Sequence, residues 1–80
     1  MIVKNRIKQY REKYSITQEE LGKKINKTKQ YISKLENQNI NVGIGLAIEI
    51  VKAIRELTNE KSFGIQTVKI SVEDIFYIGE

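Results

Sequence analysis

The chain has 80 residues, 40% hydrophobic and 30% charged, with no cysteine, histidine or proline. This is the size of one small globular domain, too short for two and too apolar for a disordered tail. No run approaches the roughly 18–20 apolar residues of a membrane span. Charges at Met1 to Tyr10 interrupt the apolar core that a signal peptide needs. Without Cys or His there is no disulfide, no thiolate zinc site and no common nucleophile–base pair. No cofactor and no metal are therefore expected, and the chain reads as cytoplasmic. The net charge of +4 is unevenly spread: residues 1–37 hold ten Lys/Arg against four Glu, and residues 38–80 hold four against six acids. A basic half of this kind suits a polyanionic partner.

In chain order, Asn5 to Tyr14 predicts a first helix, with Asn5 as N-cap and Ile7, Tyr10 and Tyr14 on one stripe. Ser15-Ile16 is a short break. Thr17 to Ile25 predicts a second helix opened by a Thr17–Glu20 capping box, with Leu21 and Ile25 inward. Asn26 follows the last turn, where Asn tolerates the left-handed conformation. Thr28 to Glu36 predicts a third helix capped by Thr28, with Ile32 and Leu35 inward. Gly43 to Leu57 predicts a fourth, with Ile44, Ala47, Ile48, Val51 and Ile54 as its core stripe, widened by Leu46 and Ile50. Gly43 and Gly45 weaken its start. Thr58 to Lys69 reads as loop or short strand. Ser71 and Asp74 open a last short helix. The apolar termini, Met1-Ile2-Val3 and Ile75-Phe76 with Ile78, are able to pair as strands.

Leu21, Ile25, Ile32 and Leu35 set two short helices across a tight connection at Asn26-Lys27, the spacing of a helix-turn-helix. The outer face of the second of these helices carries Thr28, Lys29, Gln30, Ser33 and Lys34, with no acid. Gln can bind adenine in a bidentate way, and Lys can donate to guanine or to phosphate. Thr28 and the free N–H groups of the helix start suit a phosphate oxygen.

The stretch Ile7 to Asn37 resembles the Cro/CI-type helix-turn-helix repressors of bacteria and phages. The resemblance is carried by Arg11-Glu12, Thr17-Gln18-Glu19-Glu20-Leu21, Thr28 and Ile32-Ser33-Lys34-Leu35-Glu36. Ile44 to Ile54 is similar to that family's fourth helix, and Val72 to Phe76 to its fifth. Where the family usually has alanine after the helix-two leucine, this chain has Gly22. Where the family usually has glycine and an apolar residue in the turn, it has Asn26-Lys27. The link around Arg55 to Lys69 is longer than usual.

The resemblance implies an all-α, five-helix Cro/CI repressor-like domain over residues 1–80. Its helix-turn-helix core would span 5–57 and a C-terminal dimerisation segment 58–80. It implies that Gln18 contacts phosphate and braces the recognition helix. Lys29, Gln30, Ser33 and Lys34 should reach the major groove of double-stranded DNA. Tyr31 contacts a thymine methyl, a phosphate or the core. Lys27 should snorkel toward the DNA backbone, and Arg11 with Glu36 should form a structural ion pair. One recognition helix covers few base pairs, so a homodimer on a palindromic operator is expected. Its interface is expected at Ile65, Val68, Ile70, Ile75, Phe76 and Ile78, the apolar surplus of the C-terminal third.

An enzyme fits poorly. Glu19 and Glu20 are adjacent on a helix and point apart, and Glu73-Asp74 is explained by capping. The remaining alternative is an antitoxin that binds a partner protein and represses its own operon.

Overall fold

The protein, described by a computed structural model over residues 2–38, 42–61 and 69–79, runs β1 (Ile2–Asn5), α1 (Ile7–Lys13), α2 (Gln18–Lys24), α3 (Lys29–Gln38), α4 (Ile44–Lys61), α5 (Val72–Ile75) and β2 (Phe76–Gly79). The strands pair antiparallel, with Val3 opposite Ile78 and Asn5 opposite Phe76. The expected helical domain with paired apolar termini is the observed one.

Turn chemistry explains the tight joints between the first helices. After α1, Ser15 adopts φ 57°, its N–H reaches Glu12 O at 3.2 Å, and the Ile16 N–H reaches Arg11 O at 2.8 Å. After α2, Asn26 adopts φ 60°, its N–H reaches Lys23 O at 3.3 Å, and the Lys27 N–H reaches Gly22 O at 2.7 Å. Both joints are Schellman closures, with Ser and Asn in the left-handed position that glycine usually fills. α2 opens on the expected capping box: the Glu20 N–H donates to Thr17 Oγ1 at 3.0 Å, and the Thr17 N–H to Glu20 Oε1 at 2.9 Å. The Thr17 N–H, then the Lys61 ammonium, hold the Glu20 carboxyl below the usual carboxylate range. Its contribution to stability is therefore present above the ordinary carboxylate pKa and is lost as pH falls through the lowered one.

Gly22 has a definite steric reason. A Cβ there would stand 2.6 Å from the Lys27 carbonyl oxygen and 3.3 Å from the Thr28 carbonyl group. Those atoms belong to the backbone of the turn into α3, so they cannot swing aside as a side-chain tip would. Gly22→Ala gains roughly 1 kcal/mol of helix propensity. Overpacking against a fixed backbone costs more, about 1–3 kcal/mol. Urea titration should show a net loss of stability, although alanine is the better helix former.

The core runs through every helix. Ile7, Ile16, Leu21, Ile32, Leu35, Ile50, Ile54 and Ile75 are almost wholly buried. Three expectations are corrected. Asn5 is not the N-cap of α1, which is Arg6. Asn5 instead closes β1, accepting the Ile7 N–H at 3.2 Å and donating to Leu35 O at 2.9 Å. α4 begins at Ile44, continues to Lys61 and is rotated from the expected stripe: Ile44 and Ile48 face solvent, while Ala53 and Leu57 are buried. α2 and α5 both pack against α4, and together they keep Ala47, Ile50, Val51 and Ile54 of the expected stripe inside, add Ala53 and Leu57, and leave Ile44 and Ile48 outside.

The third correction concerns the expected dimer surface. Ile70, Ile75 and Phe76 lie in the core of the single chain, because helices of seven to ten residues leave a gap that α5 and β2 must close. Ile78 remains exposed at the end of the strand pair. Ile65 and Val68, and the strand suggested around them, lie outside the described residues.

Candidate nucleic-acid interface

α2 and α3 are held at their angle by an apolar seam and a buried polar clamp. Leu21 and Ile25 from one side meet Ile32 and Leu35 from the other, all buried. Beside the seam the Glu36 carboxylate takes three charge-assisted or amide hydrogen bonds. Arg11 Nε donates to Oε2 at 2.8 Å, Arg11 Nη2 to Oε1 at 3.2 Å and Gln18 Nε2 to Oε1 at 3.0 Å. The fourth link runs from Arg11 Nη1 to Ile16 O at 3.1 Å. The Glu36 side chain is 1% exposed and that of Arg11 12%. The hydrogen bond to Glu36 raises the Arg11 guanidinium above its ordinary value. One fork-on-fork pair therefore ties α1, the start of α2 and the end of α3 together.

Gln18 is committed to this clamp through one amide hydrogen. The bracing of α3 expected of it is visible as geometry, and its second N–H is available to another acceptor. The missed contributor is Asn5, whose side chain links β1 to the α3 carbonyl of Leu35. Its distance of 30 residues from Leu35 along the chain left no local pattern to read.

Thr28 starts α3 by accepting the Tyr31 N–H at 3.0 Å on Oγ1, so its hydroxyl hydrogen is still free to donate. Lys29, Gln30 and Lys34 are exposed; Ser33 is half-buried and accepts from the Asn37 amide at 3.3 Å. Tyr31 packs partly on the core, with the Lys27 ammonium 5.3 Å over its ring. The structure thus brings Lys27, Thr28, Lys29, Gln30, Tyr31, Ser33 and Lys34 to the start and outer face of one helix. Gln18 is tied to the end of that helix through its bond to Glu36.

The ion pairs of the described residues leave the outer face of α3 untouched. Arg11 pairs with Glu36, Lys23 with Glu19 at 3.3 Å, Lys24 with Glu60 at 2.9 Å and Glu56 at 3.5 Å, and Lys61 with Glu20 at 2.9 Å. Among the described residues, Lys27, Lys29 and Lys34 enter no ion pair. The positive charge left unneutralised around α3 is what a phosphate backbone attracts.

Among the described residues no group of three His, Cys, Asp or Glu is placed to hold a metal ion, and no helix is long and apolar enough to cross a membrane. No curated protein and no solved structure matches the chain. A family model described as helix-turn-helix matches residues 7–58, more than half of the sequence, from the start of α1 into the last turns of α4. With the clamp, the seam and the α2–turn–α3 geometry all inside that span, the chain belongs to the Cro/CI-type, XRE-like helix-turn-helix DNA-binding regulators.

Proposed function

We propose that the chain reads duplex DNA sequence in the major groove with the first two turns of α3, binds as a homodimer and represses transcription at the sites it occupies. The observation that carries this reading is the acid-free, unpaired face of Lys27, Lys29, Gln30 and Lys34 beside a rigidly clamped helix. The clamp supplies orientation, which base readout requires, and the lysines supply affinity, which is independent of sequence. Gln30 is the side chain suited to bidentate contact with adenine. Lys29 and Lys34 serve guanine edges or phosphates. Thr28 and Ser33 each have a hydroxyl hydrogen for a phosphate oxygen, as Gln18 has its second amide N–H. Lys27, held over Tyr31, meets the backbone at the entry to the helix. Repression needs only occupancy: a domain seated in the groove blocks other proteins from the same DNA.

The test is selection of bound duplexes from a random pool, followed by salt titration on the best of them. Gln30→Ala should relax preference at one base position, at a cost of about 1–3 kcal/mol. Lys34→Ala should weaken all sequences alike and reduce the salt slope by about one if it holds phosphate. If both variants keep the parent's affinity and selected motif, α3 is not the reading element.

A further inference from the structure

Among the described residues, four large hydrophobic side chains are exposed: Ile44, Ile48, Tyr77 and Ile78. Tyr77 is already covered on one face by Arg6, whose guanidinium carbon is 4.0 Å from the ring centroid. Ile44 and Ile48 are different. They stand one turn apart on α4, 72% and 49% exposed, with Gly45 beside them and nothing within 4 Å of where its Cβ would be. From Val42 to Ile48 the sequence has no charge. We propose that this N-terminal face of α4 is where a second copy of the chain docks, α4 against α4 across a twofold axis. The inference rests on the homodimer reading above and assigns it a surface.

Self-complementarity favours a second copy over another partner. A twofold interface must present both knob and hole. Here the isoleucines are the knobs, and the bare backbone at Gly45 beside them is the hole. An antiparallel crossing near Leu46 sets Ile44 of each copy near Ile48 of the other. The same crossing brings Glu49 of each copy toward the other helix's first turn. Glu49 is exposed and forms no ion pair among the described residues. The first turn of α4 has no acidic residue, and Gly43, whose carbonyl accepts the Ala47 N–H at 3.0 Å, has no side chain to cap it. A carboxylate is favoured at that positive end of the helix dipole.

The experiment is sedimentation equilibrium of the full chain at 5–200 µM, a range of about 40-fold chosen to bracket ordinary micromolar association. It is run on the parent, Ile48→Lys and Ile78→Lys, with circular dichroism melts to confirm that each folds. Ile48→Lys should weaken self-association at least tenfold and leave affinity for a single selected half-site duplex unchanged; Ile78→Lys should remain dimeric. Because the chain has no native cysteine, a mixture of Ile44→Cys and Ile48→Cys chains should also cross-link one variant to the other on oxidation and keep binding the full palindrome. A dimer that survives Ile48→Lys, or that Ile78→Lys breaks instead, overturns this surface and leaves the homodimer reading intact. A parent chain that is monomeric throughout overturns both, as does a monomer that binds a second, different protein through Ile48.

Discussion

Arg11→Ala should lose about 3–5 kcal/mol of stability, the cost of removing one partner of a buried pair. For a domain this small, at the low end of the usual range of about 5–15 kcal/mol, that removes most of the stability. The substitution strands the Glu36 carboxylate, 1% exposed, with the Gln18 amide as its remaining donor among the hydrogen bonds described. It also frees the Ile16 carbonyl that Arg11 Nη1 holds. Glu36→Ala should cost less, because the guanidinium it leaves behind retains a path to water through its 12% exposed surface. The order of the two single variants is thus part of the expectation. The double variant Arg11→Met, Glu36→Leu should recover a good share of the loss, since two apolar side chains strand no charge. Thermal and urea melts of these chains and of the double variant Arg11→Ala, Glu36→Ala check this, with the interaction energy read from the alanine cycle. Near-neutral single variants would show that the clamp is solvated in solution.

Features set by neighbours along the chain were legible in the sequence. The Thr17–Glu20 box, the left-handed Asn26 and the Thr28 start of α3 depend on residues two to four apart, and their side-chain chemistry names them. The Arg11–Glu36 pair, 25 residues apart, was reachable only through resemblance, because nothing local says which carboxylate an arginine will meet. α4 shows where periodicity ends. Ile44, Leu46, Ala47, Ile48, Ile50, Val51, Ala53, Ile54 and Leu57 cover more than half of its circumference, so several stripes fit equally well. Packing of α2 and α5 chose among them, and the losers, Ile44 and Ile48, became surface. The candidate reading face on α3 was legible for a simpler reason. Its seam residues are the apolar ones, and most other side chains of a short helix then point outward, Glu36 in the clamp being the exception.

Phe76 separates the two roles that an apolar C-terminus can have. As part of a dimer surface its replacement would give a folded monomer, which is what the sequence alone suggested. In the structure it is 8% exposed, stands opposite Asn5 in the strand pair and packs in the same cluster as Ile7, Ile70 and Ile75. Phe76→Ala should therefore unfold the chain rather than dissociate it, at about 3–5 kcal/mol for an aromatic deletion in a core. The loss should spread beyond the strands. The Arg6 N–H donates to Ile75 O at 2.7 Å, and Asn5 bonds Leu35 O, so a loosened β2 slackens β1 and with it the far end of α3. Hydrogen exchange should report this as parallel loss of protection in β1 and in the last turn of α3, with a fall in melting temperature below the parent's that is the same at 5 and 200 µM protein, a range again chosen to span micromolar association. A Phe76→Ala chain that keeps the parent's melting temperature when monomeric, and only shifts its association constant, would return Phe76 to the surface.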